Sequence, residues 1–145
     1  MSNAGYWKWR AQAEKRLHEF DKLHPQVHAL MAKSGWEVIC QATDKEDKEE
    51  KWDWAMIKHP ATDDEILGLV DIKFGGVRDE HVKYFEKHGK SHGVTHYAFG
   101  YRRHGTDKVI RVRVVTVEFF MKNKIRHVNP KSGEVYWTLK PPRAA

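Results

Sequence analysis

The stretch that most constrains the fold is residues 66–74, Ile-Leu-Gly-Leu-Val-Asp-Ile-Lys-Phe. Its apolar residues occupy both alternating sets of positions, which is typical of a central strand covered on both faces. Asp71 and Lys73 interrupt this pattern two residues apart, so their side chains point from the same face. A buried carboxylate and a buried ammonium are costly unless they are paired or bound to something. The stretch therefore predicts a central sheet, covered by other elements, that carries a polar site.

The composition indicates one folded domain with a basic surface. The chain has 145 residues, 40% of them hydrophobic, and six tryptophans. A chain of this length buries roughly two thirds of its unfolded surface. The formal net charge is +6 and the isoelectric point is near 9.4. This balance suits a polyanionic partner such as nucleic acid, although many basic proteins bind none.

Cysteine and hydropathy exclude several protein classes. The single cysteine, Cys40, rules out an intrachain disulfide and a cysteine-based zinc site, and its apolar surroundings predict a buried side chain. No apolar stretch approaches the roughly 18 residues of a membrane span, and the first residues lack a hydrophobic signal core. We therefore expect a soluble, cytoplasmic protein with no membrane contact and no disulfide partner. The ten histidines are scattered without a His-Glu-x-x-His pattern, which favours surface histidines over a zinc site or a general base.

The pattern along the chain predicts the element order ααβββαββ, followed by a short helix and a hairpin. This is an α/β fold with a mixed central β-sheet flanked by helices. We expect one domain over 1–145, with an N-terminal helix within 1–24, a core over 36–124, and a hairpin and tail over 125–145. Helices are predicted at 6–23, 25–33, 77–88 and 117–124. Strands are predicted at 36–43, 52–58, 66–74, 96–103 and 109–116. A hairpin is predicted over 125–139, and a solvated turn over the charge run 44–51.

A second isolated carboxylate, Asp53, lies in the strand-like stretch 51–57. Two carboxylates on neighbouring strands can hold Mg²⁺, which prefers few protein carboxylates and completes its octahedron with water and substrate oxygens. Such an ion lowers the pKa of water and absorbs charge that develops on a phosphate. A lysine on the face of Asp71 can orient or deprotonate the attacking water, or stabilise that charge. Asp53, Asp71 and Lys73 therefore predict a metal-dependent phosphodiesterase.

Asp53, in Trp-Asp-Trp-Ala-Met-Ile, and the later Asp71-Ile-Lys73 together resemble the motif of the PD-(D/E)XK nuclease superfamily. That superfamily includes restriction endonucleases, Holliday-junction resolvases and many phage nucleases. The resemblance covers about residues 14–125, with a helix before the first strand, a hairpin that carries Asp53, and a helix after the lysine-bearing strand. The chain departs from the pattern at Trp52, where proline is usual, and at Asp71, where glutamate is commoner.

The resemblance implies the fold, the cofactor and the roles of the site residues. It implies a restriction-endonuclease-like core in which Asp53 and Asp71 bind Mg²⁺, or Mn²⁺, and Lys73 is the catalytic lysine. It implies DNA as the substrate, cleavage to 5′-phosphate and 3′-hydroxyl ends, and a possible homodimer. Many relatives add an acidic ligand from the helix before the first strand. Here Glu14 and Glu19 are the candidates, and Glu19 lies nearer the usual distance. A solvent-facing glutamate is at least as good an interpretation of either residue.

Two further groups of side chains surround these residues in the sequence. Trp52 and Trp54 flank Asp53, and we expect both to point to the opposite face and to pack in the core rather than stack on bases. Arg111 and Arg113 share a strand face that could lie along a phosphate backbone, although a merely soluble face is nearly as good an interpretation. The residues expected to contact nucleic acid are Arg102, Arg103, Lys108, Arg111, Arg113 and Lys83.

Two alternatives stay open at the level of the sequence. The first is a nucleic-acid-binding module without catalysis, in which Asp53, Asp71 and Lys73 form a structural ion network and basic strands grip phosphate. The second is a nuclease directed at RNA, because residue types alone do not separate RNA from DNA as the substrate.

Overall fold

The computed structural model describes residues 23–58 and 66–140, which form four helices and two β-sheets. The predicted helix at 6–23 lies outside these residues except for its last position. None of the described helices is long and apolar enough to cross a membrane. The helices are α1 (His24–Ala32), α2 (Asp44–Glu50), α3 (Asp79–His88) and α4 (Val117–Asn123). The strands are β1 (Trp36–Gln41), β2 (Trp54–Lys58), β3 (Ile66–Lys73), β4 (Val77–Arg78), β5 (His96–Arg102), β6 (Val109–Thr116), β7 (Ile125–Val128) and β8 (Val135–Thr138).

The larger sheet has five strands in the order β1-β2-β3-β5-β6, with β3 at its centre. Strands β1 to β3 pair antiparallel, β3 and β5 pair parallel, and β5 and β6 pair antiparallel. The parallel pair needs a crossover connection, and α3 lies within it. The α/β class, the mixed sheet and the central position of residues 66–73 are therefore confirmed.

Both faces of this sheet are covered by apolar side chains. On one face, which we call the α1 face, Val27 and Met31 of α1 pack with Val70 of β3. On the other, the α3 face, Val82 of α3 and Phe120 of α4 pack in one cluster with strand residues. Side chains alternate along a strand, so Val70 and Ile72 point to the α1 face. Asp71 and Lys73 consequently point to the α3 face, as the spacing predicted.

The charge run 44–51 forms a helix, so the predicted solvated turn is wrong. Thr43 caps α2: its Oγ1 accepts a hydrogen bond from the Glu46 N–H at 3.2 Å, and its own N–H donates to the Glu46 carboxylate at 2.9 Å. This reciprocal arrangement is a capping box. Lys51 ends the helix in the left-handed conformation, with φ of 68°. None of the helical residues is buried, so the helix carries no apolar periodicity.

Three predicted boundaries are wrong by two residues: the end of β1, which lies at Gln41 and not at residue 43, and the starts of β2 and α3. The start of β2 changes the geometry around Asp53. Strand β2 begins at Trp54 and not at Trp52. Trp52 is fully buried in the α3-face core, whereas Trp54 packs in the α1-face core, so the two side chains do not share a face. Their expected burial in the core is confirmed. Helix α3 begins at Asp79, because Val77–Arg78 forms the short strand β4.

The smaller sheet joins the C-terminal hairpin to the body of the protein. Its order is β4-β8-β7, all antiparallel, and the predicted hairpin over 125–139 is confirmed. The Trp137 indole N–H donates to the Asp79 carboxylate at 2.8 Å, which ties the hairpin to the first turn of α3. Gly76 lies under this hairpin, where a Cβ atom would come within 2.7 Å of the Trp137 carbonyl oxygen.

Candidate functional site

Asp53 lies just before β2 and is held by three hydrogen bonds to neighbouring strands and their flanking residues. Its N–H donates to the Val70 carbonyl at 2.8 Å, and its carbonyl accepts from the Ala42 N–H at 2.9 Å. Its carboxylate oxygen Oδ2 accepts from the backbone N–H of Ile72 at 2.9 Å. The side chain thus acts as the acceptor for a backbone donor of β3. Pairing of the strands fixes the position of this carboxylate.

Asp71 and Lys73 lie beside each other on the α3 face of β3. The Lys73 Nζ is 2.9 Å from the Asp71 carboxylate oxygen Oδ2. Asp71 is 8% exposed as a residue, and the Lys73 side chain is 23% exposed. On β5, Tyr97 lies opposite Asp71 and Phe99 lies opposite Lys73. The charged pair therefore stands at the end of an otherwise apolar face, with its lysine partly open to solvent.

The carboxyl groups of Asp53 and Asp71 are hydrogen-bond partners, so the three predicted site residues are brought together. Burial, followed by repulsion from Asp71, raises the pKa of Asp53 from 3.8 to about 8. Two carboxylates this close cannot both ionise easily in a buried place, and one of them holds a proton. A cation between them would take the place of that proton. Carboxyl groups close enough to share a proton are also close enough to share Mg²⁺.

Asp47 of α2 is a third carboxylate near this pair, and it was missed in the sequence. Its carboxyl group hydrogen-bonds to Asp53. Asp47 is exposed as a residue, but partial burial of its carboxyl group, followed by repulsion from Asp71, raises the pKa of Asp47. The available signal was the pattern Thr43-x-x-Glu46, which marks a helix start and brings Asp47 into the first turn. The turn predicted for 44–51 gave Asp47 no fixed position.

The described residues contain no group of three or more His, Cys, Asp or Glu side chains arranged to hold a metal ion. Asp53 and Asp71 would therefore be the side-chain ligands of a cation here, with Asp47 hydrogen-bonded behind Asp53. This small ligand set is compatible with Mg²⁺, which is usually bound through one or two carboxylates and keeps several water or substrate oxygens. It does not fit a structural zinc site, which needs four protein ligands.

His81 of α3 was also missed, because the histidines were interpreted as surface residues. Its side chain is 16% exposed. Burial, followed by the charge of Lys73, lowers the pKa of His81 below its usual value of 6.5. The imidazole is therefore neutral at pH 7 and can accept a hydrogen bond or a proton. Its ring centroid is 5.9 Å from that of His92, which stacks on Tyr84 at 3.7 Å.

The basic residues expected to contact nucleic acid do not form one surface. Arg102, Arg103 and Lys108 are exposed at the connection between β5 and β6. Lys83 forms an ion pair with Asp79 at 3.1 Å, one turn earlier on α3. Only the exposed connection between β5 and β6 thus offers several basic side chains together among these predicted residues.

Arg111 and Arg113 share a face of β6, as predicted, and it is the α3 face. Arg113 lies opposite Phe99, which in turn lies opposite Lys73 on β3. Arg113 is half-buried: its Nη1 donates to the Lys140 carbonyl at 3.2 Å, and its guanidinium lies 5.4 Å from the Phe119 ring centroid. Arg111 is exposed. Part of this predicted phosphate-binding face is therefore engaged in the protein's own packing.

Glu14 and Glu19, the candidates for an additional acidic ligand, lie outside the described residues. Comparisons of the chain with protein-family models, with curated proteins and with solved structures find no match.

Proposed function

We propose that the chain is a Mg²⁺-dependent endonuclease of the PD-(D/E)XK type that hydrolyses phosphodiester bonds in DNA. The observation that carries this proposal is the contact of two buried carboxyl groups, Asp53 and Asp71, with Lys73 Nζ 2.9 Å from the second. The order of elements around them adds support: three antiparallel strands, a helix, and then a strand parallel to the third. A restriction-endonuclease-like core, as the resemblance implies, has such an order.

The carboxyl pair fits Mg²⁺, with Mn²⁺ as a second candidate. Both donors are hard oxygens, and both residues are buried, which excludes most of the water that would otherwise screen their repulsion. The raised pKa of Asp53 follows from burial and from repulsion by Asp71, so a counterion would favour ionisation of both carboxyl groups. When bound, Mg²⁺ would lower the pKa of a water molecule and neutralise charge on the scissile phosphate.

The protein's own groups hold and orient the reacting atoms. The Ile72 N–H holds Oδ2 of Asp53, so the Asp53 carboxyl group keeps a constant direction towards Asp71. Asp71 is oriented by Lys73, whose ammonium can turn from Asp71 to the substrate once a cation balances the carboxylates. Lys73 would then orient the attacking water or stabilise negative charge on the phosphate. Neutral His81 lies on the same side and can accept a hydrogen bond or a proton from that water.

The decisive experiment is cleavage of supercoiled plasmid with Mg²⁺ and with EDTA. Wild type is expected to nick or linearise the plasmid in Mg²⁺, and Asp71→Asn and Lys73→Ala are expected to lose roughly 100-fold or more of that rate. Glu86→Gln and Lys131→Ala are matched controls, since both side chains are exposed and lie outside the site. If wild type cleaves neither plasmid nor branched or single-stranded DNA in any divalent metal, the proposal is wrong.

A second candidate is a nucleic-acid-binding module without catalysis. It is favoured by the ion pair between Lys73 and Asp71, which satisfies both charges without a ligand, and by the lack of a three-ligand metal group in the described residues. In that case Asp71→Asn binds DNA as wild type does, and no protein cleaves it. Faster cleavage of RNA than of DNA in the same assay would favour the RNA-directed nuclease.

A homodimer would bring two such sites to the two strands of a duplex. Light scattering measures the mass of the full chain, and the ratio of linear to nicked plasmid reports paired cleavage. A dimer is expected to produce linear plasmid early in the reaction. A monomer is expected to accumulate nicked circles first.

A further inference from the structure

A cavity of about 560 Å³ opens at the end of the larger sheet, against the connection between β5 and β6. We call it the hairpin cavity. Two aromatic side chains, Phe74 and Tyr101, and three basic ones, Arg102, Arg103 and His104, are among its lining residues. Its volume lies within the range of small-ligand sites, about 300 to 1,000 Å³. The combination of aromatic faces and basic groups is the one that single-stranded nucleic acid binds.

The hairpin cavity lies at the same end of the sheet as the candidate catalytic residues. Phe74 directly follows Lys73, at the carboxyl end of β3. Its ring lies against β5 at Gly100, where a Cβ atom would come within 2.5 Å of the ring carbon Cε1. Glycine at this position therefore lets the ring lie against the strand. Phe74 lies on the α1 face and Lys73 on the α3 face, so a nucleic-acid strand that contacts both would pass over this end of the sheet.

The connection that forms the cavity wall is held in place by hydrogen bonds. The Gln26 side chain of α1 donates to the Asp107 carbonyl at 2.9 Å and accepts from the Val109 N–H at 2.9 Å. Within the connection, the Thr106 N–H and hydroxyl both donate to the Arg103 carbonyl, at 3.0 and 2.9 Å. The wall is therefore formed before any ligand binds, which lowers the entropic cost of binding.

The charge of the cavity favours an anionic ligand. The Arg102 guanidinium lies 5.8 Å from the Phe74 ring centroid, and its Nη1 is 4.0 Å from the Asp107 carboxylate. Both members of this ion pair are exposed, so solvent screens the attraction and the arginine can turn to a ligand. Arg103 and His104 are exposed beside it. The lining of the cavity thus contains one carboxylate, that of Asp107, and three basic side chains.

We propose that the hairpin cavity binds an unpaired nucleotide of the DNA substrate, across the end of the sheet from the phosphate at Lys73. This inference rests on the proposed nuclease function and deepens it, because it names the substrate class. The base would lie against Phe74 or Tyr101, and the arginines would bind the adjoining phosphate through charge-assisted hydrogen bonds. Bases inside a duplex are stacked on their neighbours, so a cavity with aromatic walls serves an unpaired base. The preferred substrate is then a junction between duplex and single strand.

The test measures binding of the full chain carrying Lys73→Ala, in EDTA, so that cleavage does not interfere. The probes are a fluorescent blunt duplex and the same duplex extended by a short single-stranded overhang. The overhang is expected to bind more tightly. Phe74→Leu and Arg103→Gln are each expected to weaken its binding by about tenfold, with a smaller effect on the blunt duplex. Arg126→Gln, which removes an exposed arginine from the smaller sheet, is the matched control.

The outcomes separate this inference from the nuclease proposal. Equal binding of the two probes, or an equal loss in Arg103→Gln and Arg126→Gln, overturns the hairpin cavity as a nucleotide site, whatever the cleavage assay shows. A selective loss for the overhang supports it even if wild type cleaves nothing, in which case the nuclease proposal alone fails. Arg103 is exposed, so its replacement leaves the core intact. If Phe74→Leu lowers the melting temperature, the binding result for Arg103→Gln alone tests the cavity.

Discussion

Replacing Asp53 with asparagine is expected to stabilise the metal-free protein, and to do so more strongly as the pH rises. The pKa of Asp53 is raised from 3.8 to about 8, chiefly by burial and by Asp71. The folded state therefore binds a proton that the unfolded state releases between these two pH values. The contribution of Asp53 to the free energy of unfolding is fully retained below about pH 4. It is lost progressively as the pH rises towards about 8. Asparagine stays neutral throughout and keeps an oxygen that can accept from the Ile72 N–H.

The magnitude follows from the size of the change in pKa. Each pH unit corresponds to about 1.4 kcal/mol, so ionising Asp53 costs at most about 6 kcal/mol in the folded protein. Water entry and local relaxation reduce such costs in real proteins. We expect Asp53→Asn to raise the free energy of unfolding by on the order of 2–4 kcal/mol at about pH 9, and by much less at about pH 5.

Urea unfolding in EDTA at both pH values measures this difference, with Glu86→Gln as the exposed carboxyl control. Adding Mg²⁺ at the higher pH is expected to stabilise wild type by an amount that rises with the logarithm of the Mg²⁺ concentration above the dissociation constant, and to stabilise Asp53→Asn much less. A difference between wild type and Asp53→Asn that does not change with pH would refute the reasoning, since the carboxyl pair would then not be sharing a proton. Destabilisation by Asp53→Asn at both pH values would refute it as well.

Three further substitutions test the packing around the site. Thr43→Ala is expected to cost about 1 kcal/mol in urea unfolding by removing the cap of α2; an unchanged stability would mean that the capping box is not formed. Gly76→Ala is expected to lower the melting temperature, because its Cβ atom would approach the Trp137 carbonyl to 2.7 Å; a melting temperature at or above that of wild type would contradict this contact. Trp52→Ala is expected to cost about 3–5 kcal/mol, because the side chain is fully buried; a cost below about 1 kcal/mol would place this tryptophan outside the core.

The strands of the larger sheet could be predicted because their patterns are local. The apolar stretch with Asp71 and Lys73 predicted a central strand, and alternation placed both charged side chains on one face, where they form an ion pair. The helix predicted at 117–124 is likewise confirmed as α4, and the Thr116 hydroxyl caps it by accepting a hydrogen bond from the Phe119 N–H. Asp53 was recognised for the same reason as Asp71: a lone carboxylate in an apolar stretch stands out in the sequence.

The features that were missed depend on contacts that the sequence does not display. Helix α2 has no buried residue, so hydrophobic periodicity could not reveal it, and the position of Asp47 near the carboxyl pair depended on that helix. Strand β4 has two residues and pairs with β8 far along the chain, a contact without a local pattern. Trp52 and Trp54 lie on opposite faces of the sheet because β2 begins at Trp54 and not at Trp52. The first and last residues of a strand are its least predictable feature.

The hydrogen bond from the Ile72 N–H to the Asp53 carboxylate has a consequence for how the site could be altered. A slip of β3 by one residue would turn Asp71 and Lys73 to the other side of the sheet and present Ile72 to the α3 face. It would also take the Ile72 N–H away from Asp53. Correct alignment of two strands is thus a condition for the three polar groups to meet, and a chain that folded with the wrong alignment would lose the site while keeping most of its secondary structure.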